Sequence, residues 1–253
     1  MGKFDLMLFI RRKILKTKLT SDEVLEKLRK GGAQIGRDVY IYSTGKTLID
    51  SCAPYLLTIG EHVRIAEGVK ILNHDYAWSV LKGYSSQEIM PGNILGARSF
   101  VEIGSNVFIG MNAIITRGVR IGDNVVIGAG SVVTKDCPSD GVYAGNPARR
   151  IMSISEFYRK REAMQFDEAK DMALRYRSRF GVAPPVEVFS EYFLLFYTVE
   201  EAQQIQVFRD QMGRMGNMDA TIQYMHAHKP RFPGYEAFLR ACYQGDDREG
   251  QGA

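Results

Sequence analysis

Cysteine is scarce in this sequence, with three in 253 residues: Cys52, Cys137 and Cys242. Three cannot all pair, and their spacing matches no metal-ligand pattern. A reduced, cytosolic compartment is therefore the simplest reading. Long hydrophobic runs are also missing. No apolar stretch reaches the roughly 18 residues that a membrane span requires. Charge of one sign is not in strong excess. A formal net charge of +4 is too weak to argue for nucleic acid and suits an anionic small ligand equally well. What remains is ordinary for a globular protein, 45% hydrophobic and 25% charged, enough for one large or two modest domains.

The start, "MGKFDLMLFIRRKILKTK", sets a short apolar stretch, Leu6–Ile10, against Arg11, Arg12 and Lys13. No small-residue cleavage site follows, so it does not read as a signal peptide. A helix docked on its own protein is the plainer expectation. A peripheral contact with the inner face of a membrane is the alternative.

Against this background one regularity stands out. Residues 103–138 divide into sixes: "IGSNVF", "IGMNAI", "ITRGVR", "IGDNVV", "IGAGSV", "VTKDCP". Position one is Ile103, Ile109, Ile115, Ile121, Ile127 and Val133, all β-branched. Position five is small or medium throughout: Val107, Ala113, Val119, Val125, Ser131 and Cys137. Position four is Asn106, Asn112, Gly118, Asn124, Gly130 and Asp136, residue types that accept a left-handed backbone most easily. Short β segments with a corner every six residues wind into a coil, and hexapeptide repeats are a signature of the parallel β-helix. Position one should fill the core and position four should turn the corner.

The register runs earlier in weaker form, through Ile35, Ile41, Thr47, Ala53, Ile59, Ile65 and Ile71, with Val39, Val63 and Val69 at position five. From Ile71 to Ile103 is not a multiple of six. An insertion of about residues 75–99 therefore leaves the coil just after His74. Four sections are expected: 1–32, an N-terminal helical segment; 33–152, the β-helix; 153–245, an α-helical region; and 246–253, a polar disordered tail. Thr20 with Glu23, and Ser153 with Glu156, have capping-box spacing. The first helix should end at Gly31-Gly32 and cover the open bottom of the coil. The second should run to about Phe180, before Gly181 and Pro184-Pro185. Thr198 with Glu201 opens another, and "FPGYEAFLRACYQ" suggests the last. The Phe, Tyr and Met residues of this region read as core.

"IGDNVVIGAGSVVTKDCP" followed by "VYAGNPARRI" resembles the hexapeptide-repeat acyltransferases, the left-handed β-helix enzymes that include galactoside, maltose and xenobiotic acetyltransferases. The likeness is nearest to O-acyltransferases associated with bacterial surface polysaccharides and covers about residues 20–152. It implies left-handed winding, a homotrimer with sites between subunits, and acetyl-CoA as co-substrate. The apolar position-six residues Phe108, Ile114, Val126 and Val132 agree with an interface. The reaction implied is transfer of acetyl from acetyl-CoA to a saccharide hydroxyl, with the histidine beside the protruding loop, His74, as general base. An N-acetyltransferase acting on an amino sugar is the rival enzyme reading. A non-catalytic scaffold or a metal-binding member is the rival outside it. The metal-dependent branch needs three histidines, and the coil holds only His62 and His74, with His226 and His228 in the helical region. No metal is expected, and His62 reads as an exposed turn residue.

Asp50 and Asp75 are the carboxylates that could orient His74. Asp75 is adjacent and should point to the opposite face of an extended chain. Asp50 is 24 residues earlier, which at eighteen residues per coil puts it at another corner of one subunit and leaves a role across subunits open. Asp75, Tyr76 and Trp78 are candidate contacts to the acceptor, the aromatics by stacking on a sugar. For acetyl-CoA, the resemblance carries over Met111 and Ala129 beside the pantetheine. It carries over Thr134, Lys135 and Arg149 near the nucleotide and its phosphates, and Arg150 joins them as a phosphate partner. Cys52 and Cys137 read as packing residues.

Overall fold

The computed structural model describes residues 19–244; the expectations for the first eighteen residues and for the tail lie outside the described residues. The chain divides into two compact units, between Phe157 and Tyr158.

The first unit opens with helix α1, Ser21–Lys30. Thr20 Oγ1 accepts from the Glu23 amide at 3.3 Å and Glu23 Oε2 accepts from the Thr20 amide at 2.8 Å, completing the capping box. Leu25 and Leu28 on this helix are buried in the same core as the coil residues. The helix also supplies Ser21 Oγ as acceptor for the Ile41 amide, at 2.9 Å.

The coil follows as three parallel sheets, the faces of a prism. One face joins β1 (Gln34–Ile35), β4 (Leu57–Ile59), β9 (Val101–Ile103) and β12 (Val119–Ile121). The second joins β2 (Tyr40–Ile41), β5 (Arg64–Ile65), β10 (Val107–Ile109), β13 (Val125–Ile127) and β15 (Gly141–Ala144), and ends on β16 (Arg149–Ser153), which pairs antiparallel to β15. The third joins β3 (Leu48–Ile49), β6 (Lys70–Ile71), β11 (Ile114–Ile115) and β14 (Val132–Val133). The architecture is a left-handed parallel β-helix with flanking helices. In its regular part Ile103 pairs with Ile121, Ile109 with Ile127 and Ile115 with Val133, one coil of eighteen residues each time.

The repeat works as its chemistry requires. Every position-one and position-five residue from Ile103 to Cys137 is buried. At position four, Asn106, Asn112, Gly118, Asn124 and Gly130 have φ between 54° and 75°. Asp136 does not. The last coil is two residues short, Cys137 bridges to Ile121, and the Asp136 carboxylate instead accepts from the Arg120 amide at 2.8 Å. Along one edge the corner amides are stacked: Asn106 Nδ2 donates to Asn124 Oδ1, and Asn124 Nδ2 to Asp140 Oδ1, both at 2.8 Å.

The first coil departs from the sequence register. Thr47 is not the inward residue; Ile49 takes that place on β3, pairing with Ile71. Extra residues on either side of β3 stretch this coil, so Ile35 pairs with Ile59 and Ile41 with Ile65, 24 residues on. Ala53 is fully buried, but in an excursion carrying a 3-10 turn, Pro54–Leu56, rather than on a strand.

The second unit is helical. α3 (Ile154–Phe180) starts at Ser153, whose amide donates to Glu156 Oε2 at 2.7 Å, and stops before Gly181 at φ 72°. Short helices α4 (Val199–Ala202), α5 (Gln206–Met212), α6 (Met218–Ala227) and α7 (Tyr235–Tyr243) follow. Phe189, Phe193, Phe196, Phe208 and Phe238 are buried to 2% exposure or less and form its core with Ala169 and Ala173. Cys137 and Cys242 are buried thiols, each pushed up to about 11 by burial first. Cys52 is exposed, so it is not the packing residue expected.

Candidate active site

The site is built where the coil breaks. After β3 the Asp50 amide still donates to the Ile71 carbonyl at 2.9 Å, so Asp50 is the last residue in register with β6. The chain then swings out through residues 51–56. Asp50 Oδ1 closes that swing by accepting from the Cys52 amide at 2.9 Å, and Asn73 Nδ2 braces it by donating to the Ala53 carbonyl at 2.8 Å. One coil later, Asn73 and His74 follow β6. His74 is not a left-handed corner. It belongs to β7 (His74–Asp75), which pairs antiparallel with β8 (Ala97–Arg98). This two-stranded ribbon is the stem of the insertion, whose arm carries helix α2, Trp78–Gly83.

The excursion changes the spacing on which the two-corner expectation rested. Asp50 and His74 sit together in one chain, and His74 Nδ1 is hydrogen-bonded to Asp50 Oδ2. An ionised carboxylate can only accept, so Nδ1 carries the hydrogen and Nε2 is left as the basic nitrogen. The Asp50 side chain is 5% exposed and that of His74 37%. Burial pushes the Asp50 carboxyl up, but the Cys52 amide and the His74 ring outweigh it and hold the group below its ordinary value.

His74, Asp75 and Tyr76 form a wall shared by two clefts. One, of about 510 Å³, is completed by Leu72, Thr116 and Arg117. The other, of about 410 Å³, runs under the arm against Trp78 and Gly96 to Arg98. Asp75 is not the orienting carboxylate, because its Oδ1 accepts from the Ala77 amide at 2.7 Å and shapes the turn into α2. Tyr76 is 65% exposed and packs edge-to-face on Trp78, centroids 4.9 Å apart. Two larger clefts are lined wholly by described residues of the helical unit, and neither holds a hydrogen-bonded histidine–carboxylate pair among them.

The hydrogen-bond ladder sorts the residues expected at acetyl-CoA. Leu72 donates to the Ile115 carbonyl and Thr116 to that of Val133, so Asp50, Leu72, Thr116 and Thr134 occupy successive coils at one corner, with Lys135 just beyond. Met111 and Ala129 stack at the next corner, where the Gly130 amide donates to the Met111 carbonyl at 2.7 Å. The face β6–β11–β14 separates the two sets. Met111, Ala129, Thr134, Lys135, Arg149 and Arg150 are all exposed. Arg149 and Arg150 are neighbours on β16, where Arg150 also donates to the Asp140 carbonyl at 3.1 Å. His62 is a corner residue at φ 55°, half-buried and paired with Asp38 at 2.7 Å. Among the described residues no three His, Cys, Asp or Glu side chains gather as a metal site.

Four residues at the site escaped the sequence reading: Thr116, Arg117, Arg98 and Asn73. Thr116 had a signal, since it fills the same hexad slot as Thr134 three hexads earlier. Asn73, 2% exposed with Oδ1 unpartnered, and Arg98, across the ribbon from His74, had none, because neither the brace nor the ribbon has a repeat.

The chain is similar to several known proteins. The family model described as hexapeptide repeat of succinyl-transferase matches residues 100–135, which lie in the regular coils. Protein CapG of Staphylococcus aureus is 44% identical over 149 residues, 58% of this chain and 79% of that protein. Among solved structures, a maltose O-acetyltransferase from Clostridium difficile is 30% identical, over 52% of this chain and 75% of that one, with a TM-score of 0.39. The hexapeptide-repeat acetyltransferase VCA0836 of Vibrio cholerae is 19% identical, over 61% of this chain and 94% of that one, with a TM-score of 0.40. With the repeat matched and a relative of this identity covered over most of its length, the chain belongs to the hexapeptide-repeat acyltransferase family.

Proposed function

We propose that the protein transfers acetyl from acetyl-CoA to a hydroxyl of a saccharide, in the synthesis of a surface polysaccharide, with His74 as general base and Asp50 as its orienting partner. The observation that carries this is the His74–Asp50 pair beside a cleft of about 510 Å³. A hydroxyl is a poor nucleophile while it keeps its proton. Nε2 of His74 takes that proton as the oxygen attacks the thioester carbonyl, a contribution of roughly 10²–10⁴-fold. Buried Asp50 stabilises the imidazolium that forms. The tetrahedral intermediate then expels the CoA thiolate, which recovers the proton from His74. Tyr76 and Trp78 offer the acceptor ring a flat apolar face. Lys135, Arg149 and Arg150 suit the phosphates of the donor, and Arg117, exposed and unpaired among the described residues, extends the cationic side of the first cleft.

The working unit in this reading is a homotrimer. Phe108 pairs with Val126, and Ile114 with Val132, as apolar stripes on the outer surfaces of the two faces that meet at the Met111–Ala129 corner. A three-fold closed ring would bury them and set that corner of one subunit beside His74 of the next.

The test is product analysis. Acetyl-CoA is incubated with a panel of sugars, nucleotide sugars and lipid-linked sugars, and thiol release is followed together with the acetylated product. A base-labile acetyl ester on a saccharide is expected. A base-stable amide on an amino sugar would replace this reading with N-acetylation, and no acceptor-dependent thiol release would end it.

A further inference from the structure

The helical unit holds a cleft of about 540 Å³ that the acetyl-transfer reading leaves unused. Its floor is apolar, made by Leu194, Leu195 and buried Met225. Its walls are tyrosines. Tyr158 and Tyr224 are 56% and 39% exposed, in a unit that buries five phenylalanines almost completely. The neighbouring Tyr224 hydroxyl is the leading reason that the Tyr158 phenol lies above its ordinary value. The Tyr224 ring stacks on His228, centroids 4.1 Å apart and planes 16° from parallel. The Tyr224 face is thereby held in place, and Tyr197 adds a third tyrosine to the lining.

The charge at the cleft is net positive. Arg161 is neutralised by Glu168, with two bonds of 2.7 Å. Glu162 is the single carboxylate in the lining. Lys229 has no ion pair among the described residues. Arg231 is likewise without a carboxylate, and its guanidinium is fixed over the Phe166 ring at 4.4 Å. His228 Nδ1 donates to the Tyr224 carbonyl at 2.9 Å, which leaves Nε2 for another partner. The cleft therefore offers flat apolar faces bordered by two cations without ion pairs, Lys229 and Arg231, against one carboxylate, Glu162. Pyranose rings present apolar C–H faces to aromatic rings, and their carboxylate or phosphate substituents would meet Lys229 and Arg231. An open trough of this volume is in the range of ligand sites and takes an internal segment of a chain as readily as an end.

We propose that this cleft binds an acidic segment of a saccharide chain, separate from the acetyl-transfer site; the inference rests on the saccharide acceptor proposed above. Titration calorimetry on the full chain tests it with three probes: a tetramer of galacturonate, a neutral galactose tetramer and uridine monophosphate. The acidic tetramer should bind best, and His74→Ala should bind it as well as the parent. Tyr224→Ala and Lys229→Gln, both at exposed positions, should each weaken it about tenfold, while Tyr224→Phe keeps the stacking face and most of the affinity. Acetyl transfer to a short acceptor should be unchanged in all three. Equal binding of the neutral tetramer, tighter binding of the nucleotide, or parental affinity in Tyr224→Ala and Lys229→Gln would each overturn the proposal. A protein that binds the acidic tetramer through these residues but acetylates no saccharide would sink the acceptor reading and leave the cleft assignment standing.

Discussion

Asp50 keeps its negative charge where burial alone would discourage it. The Cys52 amide and the His74 ring more than offset that penalty, so the folded-state value lies below the ordinary 3.8. The sign of the linkage follows. Stability contributed by Asp50 is fully present above that ordinary value and is lost as pH falls through the lower, folded one. In Asp50→Asn the melting temperature should therefore fall less steeply than in the parent as the pH drops below about 4. Parallel curves would place the carboxylate's partners elsewhere. The same substitution acts on catalysis through the tautomer. An amide Nδ2 facing the ring makes Nδ1 an acceptor and puts the hydrogen on Nε2, so His74 can no longer take a proton. A loss in kcat of about 10²-fold or more with KM little changed is the expected outcome. Equal losses of kcat and fold stability would mean that Asp50 is structural only.

Single strands of two or three residues have no stability alone; the stacking of coils supplies it. Backbones approach closely where each strand ends. A Cβ on Gly110 would lie 2.6 Å from the Ala129 amide nitrogen and 2.8 Å from the Ile127 carbonyl oxygen, backbone atoms that cannot step aside. Gly110→Ala should cost about 1–3 kcal/mol, seen as a lower urea midpoint with an unchanged slope. Ile121, 2% exposed on β12, is the harsher case. Ile121→Asp puts an unpaired charge in the prism core, costs several kcal/mol and should give insoluble protein. A soluble, cooperatively melting variant would contradict the inward register. That register was readable between Ile103 and Val133 because each hexad repeats one inward aliphatic and one corner residue. The first coil was not readable to the residue, because nothing about Thr47 marks a slip that hands its place to Ile49. The His74–Asp50 pair was hidden for the same reason. Its two members were named from their chemistry, but their contact depends on an excursion after β3 that spacing arithmetic cannot contain.

At the scale of the whole molecule, Met111 and Ala129, assigned to the donor, lie one prism face away from the corner that holds Asp50, Thr116 and Thr134 beside His74, and the stripes next to them are apolar. The arm of the insertion is apolar as well, with Val80 73%, Met90 84% and Ile94 65% exposed. Surface of this kind in one chain marks an interface. Light scattering should give three chains per particle. Mixing His74→Ala with Ala129→Trp, each inactive alone, should restore activity after subunit exchange, since some interfaces then receive both intact halves. No recovery after verified exchange would put both halves of each site on one chain. The central claim, that His74 is the base for acetyl transfer, is tested most directly by comparing turnover in His74→Ala and the parent at matched melting temperature. The side chain is half-buried on a surface ribbon, so the fold should persist. Acetyl transfer should fall by about 10²-fold or more; near-parental turnover in the folded variant would contradict it.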